Sequence, residues 1–317
     1  MTAVTPDAAE LALVDLLQWL RTHVYRFVTP TPLTHSRVIA RAEKRSAQSL
    51  RDILGWSLPF TADAIDAEAL ALMRAAGVVH EQAGVLRSAI RVSSLDDDLY
   101  LHSAYPTDAA DAVFFGPDTY RYCRFVAAEL DKLPRPQAPR MADVGCGSGA
   151  GGIVAARHLR QPTVLLTDIN PLALRLARVN AAVAGVDAET LLSDVLTEVS
   201  GALDLVISNP PYLNDDQRRA YRHGGGTLGF DLSLRIAVQA LERLRVGGVL
   251  LLYTGVAIVD GEDPFLQALR QLFTQTPCDW RYREIDPDVF GEELQRPVYR
   301  QVDRIAAVGL VAVKRAA

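Results

Sequence analysis

The sequence predicts an α/β protein built on a mostly parallel, doubly wound sheet of seven strands, preceded by a helical accessory unit. From about Phe114 onward, short apolar runs alternate with segments of helical periodicity, which is typical of parallel strands joined by crossover helices. A glycine-rich turn follows the first of these strands, and two prolines close the fourth. The first third of the chain lacks this alternation. We therefore expect two domains, residues 1–110 and residues 111–317.

Composition and charge narrow the possible classes of protein. The chain has 317 residues, of which 49% are apolar and 22% charged, so it can bury a substantial core and does not resemble a disordered protein. Its net charge of −5 argues against an extensive nucleic-acid surface, although a local basic face stays open. The three cysteines show no CxxC or Cys/His spacing, so we expect neither a disulfide framework nor a metal site.

The location that fits this composition is the cytoplasm. The first ten residues contain Asp7 and Glu10 and no basic region, so no signal peptide is expected. The most apolar stretch, Val246 to Val259, is short and interrupted by glycines, so no membrane partner is expected either.

The first domain reads as three helices followed by a two-stranded ribbon, which resembles a winged-helix arrangement. The expected helices run from Leu11 to Leu20, from about Ser36 to Leu54 and from Asp66 to Ala76. The strand-like runs are Val85 to Val92 and Leu99 to Ser103. The second helix carries basic residues that could contact phosphate, although a solvated face is the commoner reading: Arg37, Arg41, Lys44, Arg45 and Arg51.

The sequence of the second domain predicts an alternation of helices and strands. The expected helices are a segment leading to Leu130, Ala150 to Leu159, Asp231 to Leu244 and Pro264 to Thr274. The expected strands include Met141 to Val144, Val164 to Asp168, one before Ser193, Leu203 to Ile207, Val249 to Tyr253, Trp280 to Ile285 and Ile305 to Val313. The last two are expected to form a hairpin. Polar side chains that end parallel strands collect at one edge of such a sheet.

The turn between the first strand and its helix has the character of a ligand-binding loop. In Gly145-Cys146-Gly147-Ser148-Gly149, glycines allow close backbone approach, and the helix N-terminus offers free N–H groups. Such a loop holds carboxylate or phosphate equally well. The next strand ends in Asp168, whose carboxylate could accept from a ribose diol. Because Gly147, Gly149 and Gly152 also fit G-x-G-x-x-G, a nicotinamide dinucleotide stays open at this point.

The stretch Ser208-Asn209-Pro210-Pro211-Tyr212 has the composition of a clamp for a planar NH2 group. The two prolines have no N–H and a fixed φ, so the loop that ends the strand is rigid. The Asn209 side chain and the Pro210 carbonyl can accept the two amine hydrogens, while the Tyr212 ring stacks on the plane that carries them. Catalysis would then come mainly from positioning. An ordinary strand followed by a Pro-Pro turn is the alternative.

The register Asp143-x-Gly145-x-Gly147-x-Gly149 resembles the S-adenosylmethionine (AdoMet) loop of class I methyltransferases. Together with Asp168-Ile169-Asn170-Pro171 and the clamp, it makes residues from about Phe114 onward similar to the family of release-factor glutamine methyltransferases and related N-methylating enzymes. The resemblance implies catalysis by Asn209, Pro210 and Tyr212, most directly on a protein glutamine, within a sheet that has one antiparallel member. It implies AdoMet as cofactor, bound by Asp143, Gly145, Cys146, Gly147, Gly149, Asp168, Ile169, Asp194, Val195 and Asn209.

Departures from the family pattern leave the acceptor open. The family's Arg-Pro-Glu-Thr type segment reads Gly116-Pro117-Asp118-Thr119 here. The loop 214–230 has its own content, and its glycines either make it mobile or allow a close backbone approach. Within it, His223 is a candidate base. Three residues of an insertion between the closing strands could rim the pocket, although surface charge is the default interpretation: Glu292, Glu293 and Arg296.

Four other functions stay open on the sequence. They are methylation of a nucleobase amine in RNA or DNA, methylation of a small amine, chemistry on AdoMet itself, and cofactor binding without catalysis. The sequence does not determine the oligomeric state or the role of the first domain.

Overall fold

The computed structural model describes residues 6–133, 137–215, 219 and 221–316. Pro134 and Pro136, which follow the segment expected to form a helix up to Leu130, lie outside the described residues. Four positions of the loop 214–230 also lie outside them, namely 216–218 and 220.

Helices and strands alternate through most of the chain. The helices are α1 (Ala8–Thr22), α2 (Pro32–Ile39), α3 (Leu50–Leu54), α4 (Ala67–Ala75), α5 (Pro117–Leu130), α6 (Ala150–His158), α7 (Pro171–Ala184), α8 (Asp231–Arg243) and α9 (Pro264–Gln275). The strands are β1 (Val79–Gln82), β2 (Val85–Ser88), β3 (Ile90–Leu95), β4 (Asp98–Ser103), β5 (Arg140–Val144), β6 (Thr163–Asp168), β7 (Ala188–Leu192), β8 (Leu203–Ser208), β9 (Leu244–Ile258), β10 (Cys278–Asp286) and β11 (Arg304–Lys314). Within the described ranges, none of the helices has the length and apolar character that crossing a bilayer requires.

The predicted sheet is confirmed. In the described part of the chain, seven strands pair in the order β10-β11-β9-β8-β5-β6-β7. Strands β5 to β9 pair in parallel, whereas β11 runs antiparallel to both β9 and β10. Only two short 3-10 helices, Gly291–Gln295 and Pro297–Tyr299, lie between β10 and β11 in the described chain, and the two strands pair antiparallel as the expected hairpin. The carboxyl ends of β5, β6 and β8 therefore meet at one edge of the sheet.

Each face of the sheet is buried under helices, which explains the almost continuously apolar strands. Alternate residues of β5 point to opposite faces. Met141 joins the core that contains residues of α5 and α6, whereas Ala142 and Val144 join the core that contains residues of α8 and α9. Asp143, between them, points to the same face as Met141 and lies beneath α6.

The first domain departs from the expected helix over Ser36–Leu54. The chain forms α2, then a 3-10 turn at Ala42–Lys44, then the short α3. The Asp52 carboxylate accepts hydrogen bonds from Lys44 Nζ at 2.5 Å and from Gln48 N at 3.1 Å, which folds the intervening segment back instead of letting a helix continue. The five basic residues therefore do not share the face of one helix.

The expected single ribbon is two separate hairpins, β1–β2 and β3–β4. The run Val85–Val92 divides at Ala89, whose N–H donates to the carbonyl of Val78. The second hairpin is bound to α7, because Leu101 N donates to Asn180 Oδ1 at 2.8 Å and Asn180 Nδ2 donates to Leu101 O at 3.1 Å. Asn180 Nδ2 also reaches the Ser148 carbonyl at 2.9 Å, so the hairpin is anchored beside the glycine loop. A domain boundary at residue 110 stays a prediction.

Candidate active site

A cleft opens at the carboxyl edge of the sheet and brings together most of the predicted site residues. Those that line it are Gly145, Cys146, Gly147, Asp168, Ile169, Asp194, Val195, Asn209, Pro210 and Tyr212. Asp143 and Gly149, also predicted to bind the cofactor, do not line it. Asp118, Arg235 and Phe290 line it as well, although the sequence did not identify them.

The glycine loop presents backbone to open space. Gly145 and Gly147 have φ of +68° and +52°, and a Cβ on either would meet no heavy atom within 4 Å. The left-handed backbone requires glycine at both positions, and the space in front of them can admit a ligand. Gly149 differs, since a Cβ there would lie 3.1 Å from the Ala177 Cβ. Gly149 therefore packs closely against α7, and its predicted contact with the cofactor stays a prediction.

Asp143 supports the loop from behind instead of lining the cleft. Its Oδ2 accepts from the Gly152 N–H at 2.7 Å, and its Oδ1 accepts from the Tyr122 hydroxyl at 3.0 Å. Burial raises the pKa of this carboxyl to about 7. Asp143 is therefore a buried group that fixes the first turn of α6, and its predicted contact with the cofactor stays a prediction.

Asp143→Asn should become more stable relative to wild type as pH rises. The folded chain keeps the Asp143 proton up to about pH 7, whereas an unfolded aspartate releases it near its ordinary pKa of 3.8. Wild-type stability therefore falls through that window, while asparagine has no such proton. Between about pH 5 and about pH 8, we expect the difference in unfolding free energy to shift by roughly 2 kcal/mol in favour of the variant. Denaturant melts without cofactor measure it, and a pH-independent difference would show that Asp143 is already ionised at low pH.

Asp168 is held at the cleft wall by backbone donors. Its Oδ2 accepts from Gly147 N and its Oδ1 from Asn170 N, each at 2.9 Å. Burial raises the pKa of this carboxyl, and the N–H donors oppose that rise. A carboxylate has about four acceptor sites. The two that remain can accept the hydroxyls of a ribose, so the loop and Asp168 fit a nucleoside with a charged tail.

Asp194 and Val195 lie further along the same wall. The Asp194 carboxylate forms a bidentate ion pair with Arg235, at 2.6 and 2.9 Å. Both side chains are about half exposed, so this pair adds little stability. Val195 has a φ of +58°, an uncommon backbone for a β-branched residue, and its carbonyl accepts from the Ser193 hydroxyl at 3.1 Å. Such backbone strain is concentrated at functional sites.

The clamp presents two hydrogen-bond acceptors that have no partner. Among the residues that the structure describes, nothing hydrogen-bonds to the Asn209 side chain or to the Pro210 carbonyl. Both residues line the cleft, and Asn209 is only partly exposed. Partly buried acceptors without partners are unfavourable unless a donor arrives. This part of the cleft therefore fits a ligand that carries N–H groups.

The ring of Tyr212 is packed tightly. A Cβ on Gly255 would lie 2.1 Å from the ring, so glycine is needed at that position of β9. The Phe290 ring meets the Tyr212 ring edge-on at 5.9 Å. The Tyr212 hydroxyl donates to Asp118 Oδ2. The tyrosine can therefore present a fixed ring face to the cleft.

The loop after the clamp is bound to it by backbone hydrogen bonds. Leu213 N donates to Arg222 O at 3.1 Å, and Gly224 N donates to Leu213 O at 2.8 Å. His223 does not line the cleft, and its Nδ1 accepts from Asp215 N at 3.2 Å. This geometry gives no support to a role of His223 as base.

An ionic network joins this loop to the insertion between the closing strands. Arg219 binds Asp215 through two hydrogen bonds of 2.6 and 3.0 Å, which holds the pKa of that carboxyl at about 2. Arg222 pairs with Glu293, which is buried. The expectation that Glu293 is surface charge is therefore wrong, because the insertion folds back over the loop. Across the described ranges, no three His, Cys, Asp or Glu side chains are grouped to hold a metal ion.

Comparisons with known proteins agree with this geometry. Residues 124–276 match the family model of the methyltransferase small domain. Release factor glutamine methyltransferase from Deinococcus radiodurans is 37% identical over 133 residues, which cover 39% of this chain and 48% of the relative. Ribosomal RNA small subunit methyltransferase C from Sodalis glossinidius is 33% identical over 121 residues, which cover 38% of this chain and 32% of the relative.

A solved structure gives the fold. Wild-type Trm5b from Pyrococcus abyssi superposes with a TM-score of 0.50 at 15% identity, over 80% of this chain and 69% of that one. The sequence matches span about half or less of the two curated relatives. AdoMet is the cofactor of the class to which these relatives belong. Residues 124–276 therefore match the methyltransferase small domain, and the chain has the fold of the class I AdoMet-dependent methyltransferases.

Proposed function

We propose that the chain is an AdoMet-dependent N-methyltransferase that acts on a planar amide or exocyclic amine, with a protein glutamine as the leading acceptor. One observation carries the proposal: the Asn209 side chain and the Pro210 carbonyl are unpartnered acceptors in the same cleft as the glycine loop. An NH2 group offers two hydrogens to two such acceptors. A hydroxyl offers one, and a carboxylate offers none.

The cofactor would be held on the glycine-loop side of the cleft. The backbone of Gly145 and Gly147 lets a ligand approach closely, and Asp168 supplies oxygens for a ribose. When bound there, AdoMet supplies an electrophilic methyl group on a sulfonium. The chain contributes the wall that fixes the nucleoside, and the same wall leads directly to the clamp.

The acceptor would be held on the clamp side. Asn209 and Pro210 take the two N–H hydrogens, which places the nitrogen lone pair out of the plane of the amide. The Tyr212 ring lies beside that plane and limits its rotation. Because the acceptor's proton leaves after displacement, no strong base is required beforehand, and the remote position of His223 agrees with this. Positioning then supplies most of the rate enhancement.

Sequence similarity supports glutamine as the first acceptor to test. The relative at 37% identity is named a release factor glutamine methyltransferase. A nucleobase amine is the second candidate, because the relative at 33% identity is named a ribosomal RNA methyltransferase and the same clamp serves an exocyclic amine. In the first domain, exposed basic side chains give the second candidate some support: Arg37, Arg41, Arg45 and Arg51.

The test is incubation of the purified chain with methyl-labelled AdoMet and separate acceptors. The tubes contain release factor, total RNA, a mixture of small amines, or no acceptor, and mass spectrometry locates the label. We expect one methyl group on a glutamine of the release factor. Label on RNA would transfer the proposal to the nucleobase amine, and label on a small amine would do the same for that class. Cofactor breakdown without any acceptor would show that AdoMet itself is the substrate, and binding without consumption in every tube would contradict methyl transfer to these acceptors.

A further inference from the structure

A buried carboxylate lies directly behind the clamp. Asp118, at the start of α5, is 4% exposed and also lines the cleft. Its Oδ2 accepts from the Tyr212 hydroxyl. Its Oδ1 accepts from the Tyr253 hydroxyl at 3.0 Å and from Arg121 Nη1 at 3.2 Å. Every oxygen of this carboxylate therefore has a donor, and one of the donors belongs to the clamp.

The contact with Asp118 decides what Tyr212 can offer to the cleft. A phenol has one proton to donate, and in Tyr212 it points at Asp118. Toward the cleft the same oxygen has only lone pairs. The Tyr212 oxygen therefore adds a third acceptor to the oxygens of Asn209 and Pro210. Three acceptors suit a group that carries two N–H hydrogens.

We infer that Asp118 is a positioning residue for the methyl-acceptor site, fixing both the ring of Tyr212 and the direction of its hydroxyl proton. The inference rests on the proposed function and extends it to a residue of the segment that departs from the family pattern. Asp118 is not catalytic in this role, since it acts on the acceptor only through Tyr212.

The charged form of Asp118 is the one that performs this role. Tyr212 and Tyr253 face the carboxylate with their hydroxyls, and Arg121 faces it from the same helix. Arg121 also pairs with Asp286 of β10 at 2.8 Å. Burial raises the pKa of Asp118 to about 6, and the bonds from Tyr253 and Arg121 oppose that rise. Below that pH the carboxyl gains a proton of its own and competes with the phenols, so acceptor positioning weakens as pH falls through about 6.

The test compares two substitutions in the full chain by steady-state kinetics across pH. Asp118→Asn keeps the size of the side chain but removes the charge, so we expect kcat/KM for the acceptor to fall about 10²-fold and the acid limb near pH 6 to disappear. Tyr253→Phe removes a donor that lowers the Asp118 pKa without touching Tyr212. We expect it to move the acid limb to higher pH while the rate on the alkaline plateau stays within about threefold of wild type. An acid limb that neither substitution moves would overturn the inference.

A second readout does not depend on turnover. Fluorotyrosine incorporated in place of Tyr212 should give a ¹⁹F signal whose chemical shift titrates near pH 6 in the otherwise wild-type chain. In Tyr253→Phe the titration should move to higher pH, and in Asp118→Asn it should be absent. If this titration is present but no acceptor is methylated, the proposed function fails and the coupling of Asp118 to Tyr212 stands. If acceptors are methylated but the titration is absent, the positioning role is refuted and the proposed function stands. AdoMet affinity, measured by calorimetry, should change by less than about threefold in both variants.

Discussion

Asn209→Ala is expected to lower turnover about 10³-fold while AdoMet binds with nearly unchanged affinity. The Asn209 side chain supplies one of the two unpartnered acceptors of the clamp, and no other side chain in the described cleft duplicates it. Without it, the planar NH2 group can rotate, and the nitrogen lone pair is no longer aimed. Single-turnover rates measure the loss, and calorimetry measures cofactor affinity.

Asn209→Ala should affect the clamp without affecting stability, because the Asn209 side chain makes no hydrogen bond that the folded chain would lose. We expect the melting temperature of Asn209→Ala to stay close to that of wild type. Asn209→Asp is the matched control, since it keeps an acceptor oxygen in place and should retain more turnover than alanine. Equal activity of wild type and Asn209→Ala would contradict the clamp and leave cofactor binding as the function.

Elements fixed by local sequence were predictable. The strand β5, its glycine turn and the helix α6 follow one another within 140–158, and each is specified by its own residues. The length of the strand β9 was underestimated. The sequence predicted a strand over Val249–Tyr253, yet β9 runs from Leu244 to Ile258. Pairing with β11 extends the strand to Ile258, opposite Arg304. Around Gly247 and Gly248 the pairing with β8 shifts register, from Leu203 opposite Leu244 to Leu205 opposite Val249, so the turn preference of glycine produces an irregularity inside the strand.

The same division between local and distant contacts applies to the site. Asn209, Pro210 and Tyr212 are contiguous, so their common chemistry is visible in the sequence. Asp118 is 94 residues from Tyr212 in the chain, and nothing in its own segment indicates which hydroxyl it will accept from. Arg235 of α8 is likewise paired with Asp194, which lies 41 residues away in the chain. Partners of this kind are set by the topology of the sheet and cannot be read from spacing.

The glycines of the loop 214–230 illustrate a choice that only packing could decide. The sequence allows either a mobile flap or a close backbone approach. The structure favours close approach, because a Cβ on Gly224 would lie 1.8 Å from Gly229 O and 2.7 Å from Pro211 O. These atoms belong to backbone and have little room to yield. The part of the loop that contains Gly224 and Gly229 therefore packs directly against the backbone of Pro211 and Tyr212.

Gly224→Ala is accordingly expected to lower kcat/KM for the acceptor at least about 10²-fold, since a small displacement of the clamp is enough to spoil its alignment. Gly291→Ala is the matched control. A Cβ at Gly291 meets nothing closer than Asp288 Oδ1 at 3.7 Å, and it should leave kinetics and stability near wild type. Acceptor kinetics and AdoMet calorimetry on both variants decide the point. A Gly224→Ala enzyme with wild-type kinetics would mean that the loop moves away from the clamp during turnover, which would restore the mobile-flap interpretation.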